Sequence, residues 1–196
     1  ISVDAIVEQT QSELYDNIPT TEIARALVLA TRSLIEQDPA YSKVASRLLL
    51  RIIYKEASNN EVDFKNLGTS YQEMFKKNIK RGVEIGRLDS KILLYDLDEM
   101  AGHLKVDRDD HFTYLGIQTL YDRYYIRDDE TKNIIETPQG FWMRVAMGLA
   151  LEEENRVEWA LKFYEMLSTL RFVSSTPTLF HSGTSLPQLS SCYITT

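Results

Sequence analysis

At 196 residues, with 43% hydrophobic and 26% charged side chains, the chain is long enough for one sizeable core and short for two. A formal net charge of -7 lacks the basic footprint that tracks a nucleic-acid backbone, so non-specific DNA or RNA binding is disfavoured. A single cysteine excludes an intrachain disulfide framework and suits a reducing cytoplasm, and no apolar run approaches the ~18 residues of a membrane span.

Residues 1–15 read as a short amphipathic helix ending near Asn17 and Pro19, because proline disfavours a helical conformation in the residue before it. Thr20 or Thr21 is placed to cap a second helix, with Glu22 beside the unsatisfied N–H groups of its first turn. Ile23, Leu27, Ala30 and Leu34 at helical spacing predict its core stripe, and Asp38 with Pro39 closes it. The third helix carries Val44, Leu48 and Ile52, widened by Leu49 and Ile53, while Arg47, Arg51 and Lys55 form a solvated row. A polar loop over 59–64 leads to a helix over 67–85 whose Tyr71, Met74, Phe75 and Ile79 pack into a core. The basic run 76–81 reads as surface. Residues 88–100, with Leu93, Leu94 and Leu97, read as another helix, with His103 near its C-terminus. The acidic run 107–110 lacks the alternating ligands, central glycine and distant glutamate of a calcium loop, so no cation site is expected there.

Residues 124–127 and 134–136, joined by turn residues 128–132, read as a β-hairpin. Thr137 and Pro138 then open a helix in the favoured N-cap and N1 arrangement. That helix, over 138–151, is apolar on several sides through Phe141, Trp142, Val145, Ala146 and Leu149, which predicts a central position. The next helix sets Val157, Leu161, Tyr164 and Leu167 on one face and packs against it as an antiparallel partner, leading into residues 171–175.

The last stretch, SSTPTLFHSGTSLPQLSSCYITT over 174–196, gathers the only cysteine, two of the five prolines and a dense run of hydroxyls. Its end is β-prone, which puts the Cys192 thiol on a short strand at the edge of a polar loop. An unperturbed thiol titrates near ~8.5 and is mostly protonated at neutral pH, so chemistry at Cys192 needs a base, a metal or a second thiol. His103, His111 and His181 show no metal-ligand spacing. On residue type alone, Cys192 reads as a small buried hydrophobe.

This stretch resembles the entry into the catalytic barrel of the ribonucleotide reductase large subunit, where a TPTLFNAGT-like loop is followed by PQLSSC and a strand. FTYLGIQTLYDRYYIRD over 112–128, ETPQGFWMRVAMGLAL over 136–151 and EWALKFYEMLSTLRF over 158–172 resemble the helical region before that barrel. His181 stands where the family usually has Asn. The resemblance implies a mainly α fold, with a helical N-terminal domain over 1–171 that includes the small β-hairpin. Residues 172–196 would then supply the substrate loop and the first strand of the family's ten-stranded α/β barrel, whose remainder is absent.

The implied reaction is the radical-based reduction of ribonucleoside diphosphates to deoxyribonucleotides. A thiyl radical removes the 3′-hydrogen, two thiols supply two electrons and two protons, and a disulfide is left. Cys192 matches one of that reducing pair, and Thr176 and Ser191 match substrate-contacting positions, for which hydroxyls suit because they donate and accept. Ser191 and Cys192 would point to opposite faces of a regular strand, so either the chain bends there or Ser191 uses its backbone. No cofactor or metal is expected on this chain itself. The implied partners are a second polypeptide carrying the rest of the large subunit and a small subunit whose dinuclear iron or manganese centre generates the radical. Thioredoxin or glutaredoxin would be the reductant. Ile1 in place of Met, and an end in mid-strand, point to a split or truncated chain that is inactive alone. The contrasting readings are a fragment of the cobalamin-dependent class and a non-catalytic helical interaction module with an inert Cys192.

Overall fold

Helices begin where a cap or a proline precedes the apolar periodicity and stop where that periodicity fails. The computed structural model describes residues 1–192 and Ile194. In chain order its α-helices are α1 (Val3–Gln11), α2 (Thr20–Ser33), α3 (Tyr41–Ala57), α4 (Leu67–Glu84), α5 (Leu97–Gly102), α6 (Tyr114–Thr119), α7 (Pro138–Leu149), α8 (Arg156–Ser168) and α9 (Thr176–His181). Tighter 3-10 turns cover Leu34–Glu36, Ser90–Leu94 and Val106–His111, and a wider π turn over Leu120–Tyr124 prolongs α6. The mainly α expectation is met.

The centre is α7. Phe141, Met143, Val145, Ala146 and Met147 are fully buried, and Trp142 nearly so, so the helix meets protein on every side. Helix α8 lies along it. The Tyr164 hydroxyl, late in α8, donates to Gln139 Oε1 at the start of α7 over 2.7 Å, which makes the pair antiparallel as expected. Helices α3 and α4 close the other side with Leu49, Ile53, Tyr71 and Phe75. A satellite cluster of Ile6, Leu34 and Tyr41 fastens α1 to the body.

One of the polar networks in this core centres on Asp109. The Val106–His111 turn carries Asp109 inward, where Oδ2 accepts from the Tyr54 hydroxyl at 2.7 Å and the Tyr71 hydroxyl at 3.0 Å. Its Oδ1 accepts from Gln139 Nε2 at 2.7 Å. Burial outweighs these donors and pushes the Asp109 carboxyl up to about 7. Asp110 points outward to Arg47 at 3.0 Å, so the acidic run is divided between core and surface. No group of three or more His, Cys, Asp or Glu able to hold a metal occurs among the described residues.

Three expectations are corrected. Residues 88–100 are not one helix. Asp89 accepts from the Lys91 N–H and Asp96 from those of Asp98 and Glu99, so each aspartate starts its own short turn and leaves Leu93 and Leu94 exposed. The cap of α2 is Pro19, with no side-chain bond from Thr20 or Thr21; of its expected stripe Ala30 and Leu34 are buried and Leu27 half-buried, but Ile23 is exposed and Ala26, Val28 and Thr31 are buried besides. In α3 the buried row is Ala45, Leu49, Ile53 and Ala57, and Val44, Leu48 and Ile52 lie at its half-buried margin.

The hairpin is reduced to a turn. Arg127 and Ile134 form an isolated antiparallel bridge, and no strand occurs among the described residues. Carboxylates take one N–H that faces the other arm, that of Ile126, and one that faces away from it, that of Ile134. Glu136 Oε2 accepts from Ile126 N at 2.8 Å, and Glu56 Oε1 from Ile134 N at 2.9 Å. The expected first barrel strand falls partly on Tyr193, Thr195 and Thr196, which lie outside the described residues. No helix is long and apolar enough to cross a membrane among the described residues.

Candidate functional site

The stretch that the sequence singled out begins as helix α9. Ser175 is its N-cap and Pro177 lies in its first turn, where a missing N–H costs nothing. Thr176 is exposed, and its Oγ1 lies 3.3 Å from the Tyr124 hydroxyl. The Tyr124 ring stacks on Phe180, centroids 4.5 Å apart and 10° from parallel, so α9 rests on the end of the π turn.

Below α9 the chain is locked to α7 by an arginine. Arg144, fully buried, aims Nε at Glu136 Oε1 over 2.8 Å and Nη2 at Glu136 Oε2 over 3.2 Å. Its Nη1 donates to the carbonyls of Leu179 at 3.0 Å and Ser182 at 2.8 Å. One planar fork thus joins the segment before α7, α7 itself and the end of α9. The Ser182 hydroxyl adds a bond to the Val145 carbonyl at 2.7 Å. Gly148 lets the strands of backbone meet here, since a Cβ on it would collide with the backbone nitrogen of Gly183 and the Ser182 hydroxyl. Gly183 itself has φ +74, a conformation that favours glycine.

The next residues are stitched to the α4–α5 connection. Gly183 O accepts from Asp89 N at 3.1 Å, Leu88 bridges Thr184, and the Ser185 hydroxyl donates to Gly86 O at 2.8 Å. Further on, Thr178 Oγ1 donates to Leu189 O at 3.1 Å, which returns the chain beside α9. Ser191 sits in a bend, and both Ser191 and Cys192 are exposed. The bend is one of the two arrangements that side-chain alternation left open for Ser191 and Cys192. The expected buried setting of a structural cysteine is not seen.

Of the three predicted site residues, Thr176 is tied to Tyr124, whereas Ser191 and Cys192 follow the Leu189 tether on an open surface. The residues that hold this arrangement, Arg144, Glu136, Tyr124, Ser182 and Gly148, were not foreseen as such. A lone arginine in the otherwise apolar run FWMRVAMGLA was the available signal, because a buried charge requires a partner.

Residues 110–187 match the family model described as "Ribonucleotide reductase, all-alpha domain". The chain is 44% identical over 192 residues to the ribonucleoside-diphosphate reductase subunit alpha of Chlamydia muridarum, covering 97% of this chain and 18% of that protein. It is 37% identical to the subunit alpha of Helicobacter pylori, covering 99% of this chain and 24% of that protein. With the large subunit of Caenorhabditis elegans the identity is 28%, covering 98% and 24%. The chain therefore spans about a fifth of the length of these relatives.

Proposed function

From a chain related to the N-terminal part of the ribonucleotide reductase large subunit, we propose that it contributes to the reduction of ribonucleoside diphosphates, as a helical scaffold that presents the substrate loop. In this reading residues 1–171 are the scaffold and residues 172–196 lead into the barrel. Thr176 and Ser191 offer hydroxyls to the substrate nucleotide. Cys192 gives one of two reducing thiols; each thiol yields an electron and a proton, and the pair closes to a disulfide that thioredoxin or glutaredoxin reopens by thiol exchange. The second thiol and the radical-bearing cysteine belong to the rest of the large subunit, and a metal-containing small subunit starts the radical.

The observation that carries the proposal is the contrast within one loop. Its base is held by Arg144, Ser182 and Ser185, while Cys192 is an exposed free thiol at its far end. A fixed base with a presented thiol suits a group that must meet substrate and then a reductant. Phe172 (55% exposed), Val173 (59%) and Leu186 (76%) lie on the same stretch, apolar surface of the kind that a further protein layer covers.

The test is reconstitution with the polypeptide carrying the remaining barrel and with the small subunit. Cys192→Ser is expected to abolish turnover driven by a dithiol reductant while leaving the assembled complex intact. Turnover at the unsubstituted rate would remove Cys192 from the reaction.

A further inference from the structure

A cavity of about 430 Å³ opens between the start of α2, the last turns of α3, the π turn and the turn that follows it. Four cations line it: Arg25, Lys55, Arg127 and Lys132. The lining holds one carboxylate, Glu56, and its oxygens are already engaged. Oε1 accepts from Arg127 Nη1 at 3.2 Å and Ile134 N at 2.9 Å, and Oε2 from the Tyr121 hydroxyl at 2.7 Å. Arg127 is further held by the Tyr121 and Lys132 carbonyls. Arg25, Lys55 and Lys132 stand in no ion pair among the described residues. Lys132 reaches only the Asp129 carbonyl, at 2.7 Å.

This excess of positive charge is notable in a chain whose formal net charge is -7. Like charges around one volume repel one another, and an anion placed among them converts that repulsion into attraction. Thr20 and Thr21, the first residues of α2, also face the cavity, and Pro19 supplies no side-chain acceptor to their turn. The fourteen-residue α2 adds the positive end of its dipole to the same space, offset in part by Glu22 of its first turn, whose carboxylate accepts from the Tyr15 hydroxyl. Lys132 has φ +62 and Asn60 φ +69, backbone conformations that L-residues adopt at a cost. The turn therefore holds a lysine at a position where glycine would be easier.

We propose that this cavity binds a phosphoryl-bearing small anion, its phosphates held among Arg25, Lys55 and Lys132 at the start of α2. Several cations around one volume suit a multiply charged group better than a single carboxylate. Arg127 and Glu56, bonded to each other and to the turn, form the rigid wall behind it.

The full chain is titrated calorimetrically with inorganic tripolyphosphate and, separately, with ATP. Saturable binding that weakens with added salt is expected. The double variant R25M/K55M removes two charges whose side chains make no hydrogen bond among the described residues, and should lower affinity about tenfold or more with an unchanged circular dichroism spectrum. A control, K77M/K80M, in the neighbouring groove should bind as the parent does. Equal affinity for the two probes would identify the polyphosphate as what is recognised, and tighter ATP binding would identify a nucleotide. Absence of saturable binding by both probes, equal binding by R25M/K55M, or an equal loss in K77M/K80M would overturn the proposal.

Discussion

Replacing Arg144 by Met keeps most of the side-chain volume and removes the guanidinium that joins Glu136 to the carbonyls of Leu179 and Ser182. The carboxylate of Glu136, itself 6% exposed, keeps only the Ile126 N–H as a donor. Breaking a buried pair from one side strands a charge and costs roughly 3–5 kcal/mol. For a chain of this size that corresponds to a fall in Tm of about 6–20 °C. Chemical denaturation followed by circular dichroism measures the loss, and limited proteolysis reads out where it acts. Cleavage should rise within 182–192, because the lost bonds to the Leu179 and Ser182 carbonyls anchor the end of α9 and the start of that segment. Lys at 144 should rescue poorly, since a single ammonium cannot face a carboxylate and two carbonyls in a fork. Adding Glu136→Gln to R144M should recover part of the stability by removing the stranded charge. A stability for R144M within about 1 kcal/mol of the parent, with an unchanged cleavage pattern, would refute the clamp.

Two further outcomes are expected. The Asp109 carboxyl, raised from 3.8 to about 7 by burial, binds its proton more tightly folded than unfolded. Stability should therefore fall as pH rises through that window and level off above it, and Asp109→Asn should flatten the slope in denaturation curves across the same range. A slope unchanged in the variant would place its origin elsewhere. Gly148→Ala drives a methyl into Gly183 and Ser182, so the 182–185 segment should lift from α7 at a cost of roughly 1–3 kcal/mol. Differential scanning calorimetry and proteolysis at that segment would detect it, and a neutral substitution would show that the close approach is dispensable.

The long helices were legible because their apolar residues recur with a helical period and are bounded by proline or polar caps. Thr137 with Pro138 marked the start of α7 correctly. The similar run Ser175, Thr176, Pro177 marks α9, whose six residues are too few to show a helical period in the sequence. The rotation of the α2 and α3 faces was not legible, since exposed Ile23 and buried Thr31 depend on which neighbours each helix meets. The break at Asp96 has a local signal, a capping aspartate, but the leucines on either side of it suggest one continuous helix. At the candidate site, the order of residues around Cys192 was legible from resemblance. Its anchoring was not, because Arg144 meets partners 35 and 38 residues away and no local spacing encodes them.

The turn closed by Arg127 and Ile134 has a consequence for how this protein meets other chains. On an open edge strand, an outward N–H such as that of Ile134 would invite a foreign strand to add itself, whereas the Ile126 N–H faces the other arm of the turn. Here Glu136 and Glu56 occupy both donors from within the fold. At Ile134 the turn offers no template for β-augmentation or for edge-to-edge aggregation, a protection achieved by the Glu56 carboxylate without a covering strand.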